Sequence, residues 1–372
     1  MLVPKLRFGE FKDEWNENKF KNLITLNRGS SPRPIQNYIT KDIKGINWIK
    51  IGDIAESEKY VTKTEEKITI EGSKKSRPVK IGEIILSNSM SYGKAYILKI
   101  DGCIHDGWFV LRNFEKTFNK DYLCFLLNSE IIQKQYRSLA AGGVVSNISS
   151  ELVNSVIMKY PSKKEQEKIA NFLSLLDQKI EMQNKKIETL KIYKTGLIKQ
   201  ILNSSKNFKS KKLQTICKNL LSNITLSDIE NDTGTYKIYG ATGIIGNISN
   251  YMVDNTYISI IKDGAGVGKS FICESFSSFL STLIGLIPQD CTVEYLKIIL
   301  ENINFSKYIV GSSIPHIYFK DFKNEIVKII PYEEQLKISK IFNTINLKIN
   351  LSEQKLKILQ KMKKSLLQQM FI

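Results

Sequence analysis

Residues 165–201 read EQEKIANFLSLLDQKIEMQNKKIETLKIYKTGLIKQI, and residues 334–370 read EQLKISKIFNTINLKINLSEQKLKILQKMKKSLLQQM. The two segments align without a gap at an offset of 169. Glu165-Gln166 falls on Glu334-Gln335, Lys168-Ile169 on Lys337-Ile338, and Lys179-Ile180 on Lys348-Ile349. Lys186, Leu190, Lys194, Leu197 and Gln200 recur as Lys355, Leu359, Lys363, Leu366 and Gln369, and Pro161 and Pro331 precede the two copies. The chain is therefore an internal repeat, and a repeat decides the fold before any local reading does.

Within the first copy, apolar residues alternate at spacings of four and three: Ile169, Leu173, Leu176, Ile180, Ile187, Leu190, Leu197 and Ile201. The second copy repeats them as Ile338, Phe342, Ile345, Ile349, Leu356, Leu359, Leu366 and Met370. Such spacing is a heptad seam, which predicts two long helices packed as a coiled coil. Polar residues interrupt both seams at equivalent places, Gln183 and Lys194 in one and Ser352 and Lys363 in the other. Each helix follows a proline and opens with glutamates, Glu165 and Glu167 or Glu333 and Glu334, as a helix N-terminus favours. Some 40 residues at 1.5 Å each give a rod of roughly 60 Å.

The regions before the helices repeat more loosely. Phe20–Leu23 resembles Leu213–Ile216, Tyr122-Leu123 resembles Tyr295-Leu296, and GEIILSNSMSYGKAYIL (82–98) parallels TYISIIKDGAGVGKSFI (256–272), setting Gly93-Lys94 on Gly268-Lys269. Short apolar runs broken by Gly, Asn and Ser, such as Trp48–Ile51, Ile84–Leu86, Tyr96–Ile100 and Tyr257–Ile261, predict strands. Residues 120–136 and 292–309 predict helices. The expected fold is mixed α/β: two globular domains, 1–160 and 206–330, separated by two antiparallel helices, 161–205 and 331–372.

Composition narrows the function. Lys and Arg total 55 against 37 Asp and Glu, a net charge of +18 over 372 residues. The excess is +7 in residues 1–160, +8 in 161–212 and +5 in 331–372, while 213–330 carry −2. A clustered basic excess points to a polyanion, above all nucleic acid. The opening MLVPKLRFGEFKDEW has charges where an export signal needs apolar residues, and no stretch suits a membrane span. Five scattered cysteines and two histidines, His105 and His316, supply neither a disulfide framework nor a zinc module, so the expectation is a cytoplasmic protein without metal or cofactor.

Catalytic patterns are missing. Asp263–Ser270 resembles a phosphate-binding loop, but Asp263 stands where that motif has glycine, and Phe271-Ile272-Cys273 reads as a strand where a helix should start. We read it, with its partner in the first half, as a strand-turn-strand hairpin presenting a lysine. No two prolines are adjacent, which rules out the Asn/Asp-Pro-Pro-aromatic motif of amino-methyltransferases. Pro288-Gln289-Asp290 with Glu294 to Lys297 has the wrong spacing for a nuclease, and two isolated histidines suit hydrogen bonding better than acid–base work.

Binding equipment remains. In the first half the candidates for DNA contact are Arg28, Ser30, Arg33, Asn88, Tyr92, Lys94, His105, Trp108 and Asn147. In the second they are Lys262, Lys269, Ser270, Ser313 and His316. Such groups read base edges and hold phosphates. All six arginines precede residue 140, so the second domain lacks the fork that pairs bidentately with guanine.

A globular domain, a P-x₂₋₃-EQ-x-KI helix, and a second copy of both resemble the specificity (S) subunit of Type I restriction-modification systems. The resemblance spans the whole chain and is carried chiefly by the helices after Pro161 and Pro331, with support from PKLRFGEFKDEWNENKF and the Gly-Lys hairpins. It implies two target-recognition domains that each read half of a bipartite double-stranded DNA site. It also implies helices that space them and dock two modification (methyltransferase) subunits, with restriction subunits joining to cleave. The chain itself then catalyses nothing. Two alternatives stand beside it: the specificity subunit of a system with methylation and cleavage on one polypeptide, and a P-loop nucleotide-binding protein.

Overall fold

A computed structural model describes all residues except 1–2, 55–57, 90–92, 141–147, 205–206 and 231, and also omits the side chains of 140 and 202–204. The chain divides into two compact units, Met1–Gln183 with Lys355–Ile372, and Asn184–Gln354. Both long helices form as the heptads predict, over Lys163–Ser204 and Tyr332–Gln369. All sixteen seam residues, among them Ile169, Leu173, Leu176, Ile180, Ile187, Leu190, Ile338, Phe342, Ile345, Ile349, Leu356 and Leu359, are buried or half-buried.

In the first unit the two helices run antiparallel. Asp177 pairs with Lys363 at 2.5 Å, while lower-numbered Ile169 and Leu173 share a core with higher-numbered Leu366, Met370 and Phe371. The second unit shows the same sense, with Lys191 on Glu353 at 2.7 Å and Ile198 clustered with Phe342 and Ile338. Each unit thus takes the start of the helix that follows its globular part and the end of the other.

The globular parts are built alike. In the first unit, Thr25–Arg28, Trp108–Arg112, Ile84–Ser87, Ala95–Leu98 and Tyr60–Val61 form one five-stranded sheet in that order. A second sheet contains Ile46–Ile49 parallel to Gly102–Ile104. In the second unit, Cys217–Leu221, Leu283–Pro288, Tyr257–Ile261 and Ser270–Cys273 repeat the first sheet, and Tyr236–Gly240 lies parallel to Ser278-Phe279. A two-stranded antiparallel ribbon closes each part, Asn16–Lys19 with Ile157–Tyr160 and Lys209–Lys212 with Ile326–Ile329.

The repeated Glu-Gln has a structural explanation. Gln166 is fully buried; its Oε1 accepts from the backbone N–H of Asn119 at 2.8 Å, and its Nε2 donates to the Thr117 and Pro161 carbonyls. Gln335 is equally buried, accepts from the N–H of Thr292 at 3.0 Å and donates to the Ile330 carbonyl. Asn119 and Thr292 are in turn the N-caps of Lys120–Leu127 and Val293–Asn302. One glutamine therefore fixes a short helix of the globular part to the long helix after it. The neighbouring Glu165 takes a bidentate pair from Arg7, both contacts at 2.8 Å.

Two predicted helices are shorter than the sequence pattern suggests. Residues 120–136 are interrupted at Asn128, whose side chain pairs with both backbone groups of Ala95 on a neighbouring strand, and a second helix, Glu130–Ala140, follows. Residues 292–309 stop helical pairing at Asn302 and continue as a 3₁₀ turn, Phe305–Tyr308. Apolar spacing carries across both breaks, so periodicity alone does not reveal them.

Candidate nucleic-acid interface

The strands of both Gly-Lys hairpins pair as expected, and the two share a pair of backbone bonds at the turn. Ile84–Ser87 pairs antiparallel with Ala95–Leu98; the N–H of Gly93 donates to Ser87, and that of Ser87 to Lys94. In the second unit the N–H of Gly268 donates to Ile261, and that of Ile261 to Lys269. Both glycines have positive φ, 62° and 83°, and a Cβ would lie 2.4 Å from Tyr136 or 2.9 Å from Phe305. Glycine is thus required by conformation and by space. It leaves Lys94 half-buried and Lys269 exposed.

Around Asp106 the first unit gathers several candidates. The Asp106 carboxylate accepts from the Ser31 hydroxyl at 2.7 Å and pairs with Arg33 at 3.5 Å, and its backbone carbonyl accepts from Arg28 at 3.2 Å. The Ser31 hydrogen bond holds the Asp106 carboxyl below its ordinary range despite partial burial. Ser30 donates to the Lys75 carbonyl. His105 accepts the N–H of Gly107 at 2.7 Å, and burial keeps its imidazole below the usual value. Arg33, with its side chain 83% exposed, stands at the rim of a 550 Å³ cleft lined also by Gln36, Lys50, Ser89 and His105.

Two first-half candidates need correction. Asn88 is 2% exposed and spends its amide on the Asp106 carbonyl, and Trp108 is wholly buried against Tyr96. Both support the loop from beneath, since an aromatic between strand residues packs inward as readily as it stacks outward. Tyr92 and Asn147 lie outside the described residues.

In the second unit two loops are laced together. The N–H of Gly264 donates to Pro315, that of Ile317 to Lys262, and Val310 and His316 exchange a pair. Lys262 donates to the Ser281 carbonyl at 2.6 Å and lies 3.4 Å from Asp263; Ser270 accepts from Lys297 at 3.1 Å. These two candidates are half-buried and spend contacts within the fold, whereas Ser313 is exposed and the His316 ring packs on Tyr318. Sequence reading missed Lys218, Lys320 and Lys323, which with Lys262 line a 580 Å³ cleft. Lys320 and Lys323 sit three apart around the turn Phe319–Phe322, a signal too weak to read without Lys218 from a distant strand.

The phosphate-loop lookalike is a turn between antiparallel strands, with no helix N-terminus behind it to hold an anion. Burial pushes the thiols of Cys124 and Cys217 up to about 12 and that of Cys273 to about 11, far from a reactive thiolate. Among the described residues, no His, Cys, Asp and Glu cluster could hold a metal, and no helix is long and apolar enough to cross a membrane.

Two like-built α/β domains, each followed by a long helix and each presenting basic loops, define a paired recognition module. Residues 12–191 and 205–361 each match the Type I restriction modification DNA specificity domain, and the chain belongs to that family. It is 28% identical over 191 residues to the Type I restriction enzyme MjaIX specificity subunit of Methanocaldococcus jannaschii, a match covering 49% of this chain and 42% of that relative. The fold is that of the Type I restriction-modification S subunit from M. genitalium, with a TM-score of 0.65 at 17% identity over 100% of this chain and 99% of that one. A second solved structure, described as the basis of complex assembly and conformational transition of the type I R-M system, gives 0.58 at 14% identity over 95% and 96%.

Proposed function

We propose that this chain is the non-catalytic specificity subunit of a Type I restriction-modification complex. It reads a bipartite double-stranded DNA target with residues 1–160 and 206–330, spaced by 161–205 and 331–372, and directs modification and restriction subunits to it in the cytoplasm. The observation that carries the reading is the twofold match of one DNA specificity domain, with each copy running into a long helix.

Two modification subunits follow from the repeat. Exposed apolar residues recur on the helices at the same offset as the seam: Phe172 with Ile341, Met182 with Leu351, and Tyr193 with Met362. Exposed large apolar side chains repeated in register suit two copies of one partner. On the DNA side, Arg28, Arg33, Lys94, Lys269 and Ser313 are the reading groups, with Ser30, His105, Lys262, Ser270 and His316 setting their loops. The test is the methylome of cells carrying and lacking this gene beside its modification partner. A bipartite methylated motif should appear with the gene, and Arg28→Ala or Arg33→Ala should relax one half-site only, at about 1–3 kcal/mol per guanine contact. An unchanged methylome overturns the reading.

A further inference from the structure

The second globular part has a formal charge of −2 over residues 213–330, an unpromising surface for DNA. Its charges are not evenly spread. Of its nine lysines, Lys218, Lys262, Lys320 and Lys323 line one 580 Å³ cleft, and none of the eleven carboxylates of 213–330 lines it. Gln214, Asn219, Gln289 and Tyr318 complete its polar wall. Lys262 is held by Ser281 and Asp263, but Lys218, Lys320 and Lys323 make no ion pair among the described residues. Three other lysines of the same globular part are neutralised: Lys237 by Glu274, Lys297 by Glu301 and Lys307 by Glu325.

Unpaired like charges around one concavity repel each other, and a fold keeps that cost where an anion relieves it. The cleft is continuous with the candidate reading loops, because Lys262 begins the Gly-Lys turn and receives the N–H of Ile317, next to His316. Tyr318 joins the two, lining the cleft while its ring packs on His316. We infer that this lysine cleft binds the phosphodiester backbone of the DNA duplex at the second half-site, supplying the electrostatic hold that the arginine-free domain otherwise lacks. The inference rests on the chain being a DNA specificity subunit. An acidic surface of a partner protein is the competing occupant, and continuity with the reading loops favours DNA.

The experiment uses the assembled complex with its modification subunits and a duplex bearing its methylated motif. Binding is measured against salt for the wild type, for a triple variant with K218Q, K320Q and K323Q, and for the corresponding triple arginine variant. Each phosphate left without its lysine lowers the slope of log affinity against log salt by about 1, so the glutamine variant should fall about 3 below wild type and the arginine variant should match it. The methylated motif of the glutamine variant should stay the same, because phosphate contacts carry no sequence. A wild-type slope in the glutamine variant, with the wild type still preferring its motif, overturns the cleft and leaves the function standing. Loss of subunit assembly at an unchanged slope assigns the cleft to a protein partner and also overturns it. A wild-type complex with no preference for its motif overturns both.

Discussion

In the first unit the N–H of Ile148 donates to Asn88 where the strand Ile84–Ser87 ends, and in the second the N–H of Ile317 donates to Lys262 at the matching place. The backbone bond is the same in the two halves, but the side chain above it has changed from a buried amide holding Asp106 to a lysine facing a cleft. The same division runs through both units. Gln166 and Gln335 make the same kind of bond, and Gly93 and Gly268 turn the same corner, while the arginines Arg28 and Arg33 have no counterpart in the second half. Loop side chains thus differ on a frame that repeats these backbone bonds.

If the frame is shared, damage to it should be alike in both halves, and the glutamines offer the largest effect. Gln166→Leu keeps volume but strands the N–H of half-buried Asn119, and Gln335→Leu strands that of half-buried Thr292. Each should destabilise its own unit by about 1–3 kcal/mol, the cost of a polar group shielded from water and left unpaired. Hydrogen exchange resolved by segment checks it. Loss spread equally over both units in either variant would break the correspondence between one glutamine and one domain.

The glycines sharpen the comparison by predicting unequal damage at equivalent sites. An alanine at either position is forced to positive φ, at about 1–2 kcal/mol. At Gly93 its Cβ also meets the ring of fully buried Tyr136 at 2.4 Å, whereas at Gly268 it meets the Cβ of the less deeply buried Phe305 at 2.9 Å. Overpacking adds about 1–3 kcal/mol in the first case and less in the second. Gly93→Ala should therefore lower the denaturant midpoint more than Gly268→Ala, and the reverse order would contradict the packing.

How much of this is legible in sequence follows from range. The long helices are, because heptads and the positions of Gln183, Lys194, Ser352 and Lys363 are local and repeated; Gln183 and Ser352 are in fact buried. The hairpins are, because glycine before lysine marks a turn in both copies. The helix break at Asn128 is not, since its cause is a hydrogen bond to Ala95, a strand residue far away in sequence. Asn88 and Trp108 pass for contact residues because residue type does not tell which side of a loop is buried. The lysine cleft escapes because the fold, not spacing, brings Lys218 of a strand and Lys320 of a helical turn to one cleft.

The smallest difference expected is at the seam lysines. Lys363 pairs with Asp177 at 2.5 Å, and the second Asp177 oxygen is buried without a hydrogen-bond partner among the described residues. Its repeat equivalent Lys194 pairs with Glu301 at 2.8 Å, but Glu301 also holds Lys297 at 2.8 Å. Lys363→Met strands a carboxylate and should cost about 1–2 kcal/mol, while Lys194→Met leaves Glu301 one cation and should cost under about 1 kcal/mol. Burial would push Glu301 up, yet hydrogen bonds from Lys194 and Lys297 hold it below its usual value. A lowered folded value means stability that is present above the ordinary 4.5 of a glutamate and lost as pH falls through the folded value. Removing Lys194 shrinks that contribution, so Lys194→Met should lie closest to wild type in acid and furthest from it at neutral pH. Urea midpoints across that range provide the measurement. Equal losses for the two variants at neutral pH would show that Lys297 does not compensate, and that the two seams are wired alike after all.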